Sequence, residues 1–230
     1  MDNVTIVKKA KTLADIQRIE NKFLEHDEAK LLLQELYRRP STYRIARLAE
    51  LMYLTGVRFG EGVILTEQDF YLDEKLVKIP GTIDKTNDYK KAIEGPTKTV
   101  KSTRNINLTK RTVELVTRTI NENVLTKLDT PKYLKGNFIF VTKSGTPIQN
   151  NSFNLALKRA GERVVLEDKE LSSHIFRHSH ISFLAEKNVP LKAIMDRVGH
   201  EDGEITNKIY THVTSSMKSN IIEQLEKNGL

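Results

Sequence analysis

Apolar residues recur at intervals of three and four along most of this sequence and switch to alternation once, between Lys75 and Leu108. A period near 3.6 buries one stripe of a helix, and a period of two buries one face of a strand. The expected fold is therefore α+β, mainly α-helical, with a small antiparallel sheet. The longest apolar runs, Leu51–Leu54 and Phe138–Val141, are far short of the roughly 20 residues a membrane helix needs. No membrane association is expected.

Acids after His26, then Leu31, Leu32 and Leu36, and Pro40 as a stop predict a helix starting near Glu25. A second follows Ser41, with Ile45, Leu48, Ala49, Met52 and Tyr53 on one stripe and Gly56 ending it. The next segment, VRFGEGVILTEQDF, reads as a short helix or turn in which Arg58 and Glu61 share a face. Gly60 and Gly62 flank Glu61 there, where helix formers are usual. Lys75–Pro80, GTID and Val100–Leu108 are the strand candidates. Thr109 precedes a helix carrying Val113, Val116 and Ile120; Phe138–Val141 is a further short strand candidate, with turn chemistry in SGTPI. Asn151 is the expected N-cap of a helix carrying Phe153, Leu157 and Ala160. Further helices are expected from Ser173 to Asn188, from Leu191 to Gly199, and from Ser216 to Lys227 with Met217, Ile221 and Leu225 on one stripe. Residues 1–22 read as a polar leader, a linker or a single helix ahead of one domain spanning 23–230.

There is no cysteine, which excludes disulfides, thiolate catalysis and Cys-ligated zinc and fits a reducing cytoplasm. Lys and Arg number 37 against 30 Asp and Glu, a net charge of +7 and a pI near 9.4. Most of the excess lies between Pro80 and Arg111, where Lys85, Lys90, Lys91, Lys98, Lys101, Arg104, Lys110 and Arg111 face only Asp84, Asp88 and Glu94. This ribbon is either a solvated basic hairpin or the contact surface for a polyanion such as DNA.

Four separated fragments carry polar residues of one chemical kind: TGVRFGE with Arg58, PTKTVKSTRNINL with Lys98, HIFRH with His174 and Arg177, and VGH with His200, followed by Tyr210. Two guanidiniums clamp a phosphodiester, while Lys and His donate protons where charge grows. Tyr210 is the candidate nucleophile, and the polar EDGEITNK before it favours an exposed side chain. A metal reading of His174, His178 and His180 rests on positions four apart sharing a helix face. No carboxylate occupies the matching face, so no metal and no cofactor is expected.

In this order the fragments resemble the tyrosine recombinase (phage integrase) family, whose signature is Arg, Lys, His-x-x-Arg, His and Tyr. The resemblance runs from about Phe23 to the C-terminus and implies that family's catalytic-domain fold. It implies DNA strand cleavage and rejoining without metal: Tyr210 forms a 3′-phosphotyrosine link, Arg58 and Arg177 hold the phosphate, and His200 donates to its oxygens. Lys98, preferred over Lys90 and Lys101 because TKT matches the family's Lys-Thr, protonates the 5′-hydroxyl. His174 assists proton transfer at the nucleophile, and Glu61 orients Arg58. His178 is read as structural, and His212 as a local orienting group.

The same resemblance implies double-stranded DNA as partner and integration or excision of a prophage or conjugative element. It also implies a monomer in solution that forms a homotetramer on DNA by exchange of the C-terminal helix. The family's usual helical DNA-binding domain does not fit ahead of residue 23, so a fragment of a longer integrase is expected, with weak, salt-sensitive DNA binding. A catalytically silent DNA-binding remnant and a type IB topoisomerase-like activity are the alternatives.

Overall fold

The computed structural model describes residues 13–80, 103–133, 136–199 and 203–227. Helix α1 (Leu13–Glu20) precedes α2 (His26–Arg38) and α3 (Tyr43–Thr55), which pack against each other as the two predicted apolar stripes require. Glu25 caps α2, its N–H donating to Glu28 Oε2 at 2.8 Å. Leu32, Leu36, Leu48, Leu51 and Met52 are fully buried between the two helices and their neighbours. α3 ends at Gly56, whose φ of 72° is the left-handed conformation. A Cβ at Gly56 would lie 2.6 Å from His180 Cδ2, so the close approach also demands glycine.

The short helix α4 (Phe59–Gly62) follows, then a three-stranded antiparallel sheet in the order β1 (Phe70–Tyr71), β2 (Leu76–Ile79), β3 (Arg104–Asn107). Gly62 packs where a Cβ would sit 2.9 Å from Leu48 Cδ1, which explains one of the glycines beside Glu61. In the β2–β3 register Val77 faces Ile106 and Ile79 faces Arg104. Helix α5 (Lys110–Asp129) starts at Thr109, whose hydroxyl accepts from the Thr112 N–H at 3.2 Å. Helices α6 (Asn150–Arg163), α7 (Ile175–Glu186), α8 (Leu191–Val198) and α9 (Glu204–Lys227) follow among the described residues.

Helix α7 is buried on nearly every side, packing on α3 and α9, and contributes to both hydrophobic clusters. Ile175 and Phe176 join the main core of α2, α3, the sheet, α5 and α6. Ile181 and Ala185 join a second core with Phe23, Ile194, Val198, Ile209 and Val213. Such an all-round buried helix must satisfy its polar side chains internally. Ser179 does so by donating to Ile175 O at 2.8 Å and accepting from the Leu24 N–H at 2.9 Å.

Three sequence expectations are corrected. Phe138–Val141 makes only isolated bridges, Thr66 with Phe138 and Val141 with Pro147. Its backbone is satisfied group by group, Ile139 N–H reaching Leu65 O at 3.0 Å and Asn123 Nδ2 reaching Ile139 O at 2.7 Å, so no ladder forms. The N-cap of α6 is Gln149, not Asn151. The last helix begins at Glu204 instead of Ser216, because Ile205, Ile209, Val213 and Met217 form one continuous stripe on the second core. Tyr210 therefore sits within a helix.

Candidate active site

Arg58 immediately precedes α4, and its backbone N–H donates to Glu61 Oε2 at 2.8 Å. Its Nη1 donates to Glu61 Oε1 at 2.8 Å, so the predicted i, i+3 pair is formed around a carboxylate with no exposed surface. Arg104 of β3 reaches the same carboxylate with both terminal nitrogens, at 3.0 and 2.9 Å. Burial alone would raise the Glu61 pKa. The Arg104 hydrogen bonds and charge, then the Arg58 backbone and charge, more than offset it and hold Glu61 below the usual carboxylate range.

Arg177 enters from α7 and is 1% exposed. Among the described residues its hydrogen-bond partners are backbone carbonyls: Nη1 donates to Gly56 O at 2.5 Å and Nη2 to Val198 O at 2.6 Å. Burial, and then the neighbouring Arg58 charge, lowers its pKa to about 9, which leaves the guanidinium charged at neutral pH. Arg197 adds a further cation: it donates to His180 Nε2 at 3.0 Å and to the carbonyls of Asn107 and Leu54 at 3.3 and 3.4 Å.

The end of α8 organises these groups. Three consecutive carbonyls, of Arg197, Val198 and Gly199, accept from Arg104 Nε at 2.9 Å, Arg177 Nη2 at 2.6 Å and Arg58 Nη2 at 2.9 Å. The last carbonyls of a helix have no partner within it and carry the negative end of its dipole. Here they hold three guanidiniums side by side. Among the described residues, Arg58, Arg104 and Arg177 gather around the carboxylate of Glu61 with Arg197 beside Arg104, which leaves a local excess of positive charge suited to an anionic ligand.

His174 is the N-cap of α7, one turn before Arg177, and its ring stacks on His178 with centroids 5.9 Å apart. His178 Nδ1–H donates to Lys22 O at 3.1 Å, and burial pushes its pKa down to about 4. His180 Nδ1–H donates to Tyr53 O at 2.7 Å while Nε2 accepts from Arg197, so the ring is neutral, with its pKa pushed down to about 3 by burial and the Arg197 charge. His178 and His180 thus serve separate backbone carbonyls.

Tyr210 lies on α9, which packs along α7. Its side chain is half-buried against the second core, in place of the exposed position that its polar neighbourhood suggested. His212 faces the C-terminal end of α1 and the segment after it, with Nε2 3.4 Å from Glu20 Oε1 and the ring 6.2 Å from that of Phe23. Lys85, Lys90, Lys91, Lys98, Lys101 and His200 lie outside the described residues.

The arrangement has counterparts. The sequence profile of the phage integrase family matches residues 22–217. The chain belongs to that family. It is 50% identical over 224 residues to the prophage ps2 probable integrase of Lactococcus lactis subsp. lactis, an alignment covering 96% of this chain and 59% of that protein. It is 36% identical over 236 residues to the integrase of Staphylococcus phage L54a, covering 99% of this chain and 66% of that one. The chain therefore spans less than two thirds of these relatives. Among solved structures, the Tn1549 transposon integrase bound to transposon right end DNA shares the fold with a TM-score of 0.68 at 16% identity, over 90% of this chain and 66% of that chain. The XerH recombinase bound to a palindromic difH substrate does so with a TM-score of 0.65 at 19% identity, over 90% of this chain and 54% of that chain.

For this integrase-family chain, reading the sequence singled out Arg58, Glu61 and Arg177, which the fold brings together. It assigned Arg104 to a DNA-facing ribbon, whereas the guanidinium points into the cluster. The alternation of β3 carried the missed signal: Arg104 and Ile106 are two apart, so the face that buries Ile106 also takes Arg104.

Proposed function

We propose that this chain is the catalytic part of a site-specific DNA recombinase that integrates or excises a mobile element. The observation that carries the reading is the set of guanidiniums held by one helix end around Glu61, with an excess of positive charge suited to a phosphodiester. The names of its integrase-family relatives, and DNA in the solved complexes of fold neighbours, support double-stranded DNA as its partner.

In this mechanism Arg58 and Arg177 hold the nonbridging oxygens of the scissile phosphate, Arg58 being oriented by Glu61, and His200 adds a hydrogen bond as charge grows there. The Tyr210 oxygen attacks phosphorus and forms a 3′-phosphotyrosine bond while the bond to the 5′-oxygen breaks. The phenolic proton passes toward His174, and Lys98 supplies a proton to the departing 5′-hydroxyl. The covalent link keeps the phosphodiester energy, so a second 5′-hydroxyl reseals the strand without ATP. Lys85, Lys90, Lys91 and Lys101 track the DNA backbone. The protein works in the cytoplasm, as a monomer that assembles into a tetramer on DNA through its last helix. Among the described residues no helix is long and apolar enough to cross a membrane.

Covalent trapping tests this. Nicked duplex DNA carrying the attachment site of the element is incubated with the protein in EDTA, and adducts are resolved on denaturing gels. A chelator-resistant adduct that is lost in Tyr210→Phe is the expected result. No adduct, or an adduct that survives in Tyr210→Phe, overturns the reading.

A further inference from the structure

We infer that Arg104 is a positioning residue of the active site, locking Arg58 and the end of α8 into one geometry, and is not a DNA contact. The inference rests on the recombinase reading above. Every nitrogen of its guanidinium already donates: Nη1 and Nη2 to the two oxygens of Glu61 at 3.0 and 2.9 Å, and Nε to Arg197 O at 2.9 Å. The side chain is only 10% exposed. The fork that would grip a phosphate in bidentate fashion is occupied by a carboxylate of matching shape.

Two consequences follow from these contacts. First, Glu61 accepts from Arg58 at both its backbone and its guanidinium. With Arg104 balancing the carboxylate, Arg58 retains its charge for a ligand while Glu61 aims it. Second, Arg104 joins β3 to the last turn of α8, across 93 residues of sequence. The β2–β3 connection holds Lys98 in the sequence, and His200 directly follows Gly199. Arg104 therefore holds β3, Glu61 and the end of α8 in register. Gly199, with φ of 69°, completes the lock: a Cβ there would lie 2.8 Å from Arg104 Nη1.

The test compares wild type, Arg104→Gln, Arg104→Lys and the double variant Arg104→Gln with Glu61→Gln. Single-turnover cleavage of nicked duplex is read at saturating DNA and as a function of pH, beside DNA affinity against salt and thermal melting. Positioning predicts unchanged affinity and salt slope, with cleavage at saturation lowered on the order of 10²-fold in Arg104→Gln. Lys keeps the charge without the fork, so Arg104→Lys recovers only part of the rate.

Among the described residues, the charged groups facing Glu61 are Arg58, Arg104 and Arg177. Losing Arg104 lets burial raise the carboxyl. Arg104→Gln thus acquires a loss of rate toward acid pH that the double variant lacks. A merely structural role lowers the melting temperature without that acid limb, and this outcome overturns the inference. So does a salt slope reduced by about 0.9, one phosphate's share, with saturated cleavage intact. If wild type forms no adduct, the recombinase reading fails separately. NMR titration of the Glu61 carboxyl then decides: a pKa raised by Arg104→Gln supports the lock, and an unchanged one overturns it.

Discussion

Replacing Gly199 by Ala tests the geometry of the site through a single methyl group. Gly199 caps α8 in the left-handed conformation, with φ of 69° and ψ of 52°. An L side chain there costs about 1–2 kcal/mol in backbone strain. The added Cβ would also meet Arg104 Nη1 at 2.8 Å, Cζ at 3.0 Å and Cδ at 3.2 Å. This guanidinium cannot swing aside without breaking its bonds to Glu61 and Arg197 O. Overpacking of a held group costs about 1–3 kcal/mol, so Gly199→Ala is expected to lose about 2–5 kcal/mol. For a domain of this size the corresponding fall in Tm is roughly 4–20 °C.

Urea unfolding with an unchanged m-value, beside thermal melting, measures the loss. Gly136→Ala is the control: its Cβ would meet Phe138 Cδ2 at an ordinary 3.5 Å without positive φ, so a change within about 0.5 kcal/mol is expected. In an Arg104→Gln background the same Gly199→Ala change should cost only the strain part, about 1–2 kcal/mol. If Gly199→Ala melts like Gly136→Ala, the close packing of Arg104 on the α8 terminus is refuted.

His178 predicts a pH dependence of stability. Burial holds its folded pKa at about 4, below the ordinary imidazole value of 6.5, so the unfolded chain takes up the proton first. The stabilisation is complete above 6.5 and declines as pH falls toward 4, by about 2 kcal/mol at pH 5. Buried His180 acts in the same direction, and Glu61 adds a loss only as pH falls below the carboxylate value of 4.5. Urea midpoints at pH 7.5 and 5.0 should therefore differ, and by less in His178→Gln; an undiminished difference contradicts the role assigned to His178. Leu128, 78% exposed on α5, should tolerate Leu128→Lys within about 0.5 kcal/mol in the same assay.

Much of this was legible locally. The stripes of α2, α3, α5 and α8 and the stops at Gly56 and Gly199 follow from spacing and caps that lie within a few residues of each other. Arg58, Glu61 and Arg177 could be singled out because they stand in short fragments in a recognisable order. The extent of α9 was also readable from Ile205, Ile209, Val213 and Met217, but the polar residues between them masked the stripe. Phe138–Val141 misled because a run of apolar residues reports burial without reporting whether a neighbouring strand is there to pair with it.

What the sequence by itself determined is therefore the periodic part: where most helices lie and which of their faces are buried, with Arg58, Glu61 and Arg177 marked as residues of interest by the fragments that carry them. Only the tertiary structure decided what the polar side chains do. Arg58 meets Gly199 O across 141 residues, Arg177 meets Gly56 O across 121, and Arg104 meets Glu61 across 43. No local pattern encodes such pairings, because a guanidinium is equally at home on a phosphate, a carboxylate or a helix terminus. The choice depends on which of these the packed elements bring within hydrogen-bonding distance. For Arg104 that was a buried carboxylate and the carbonyl end of α8.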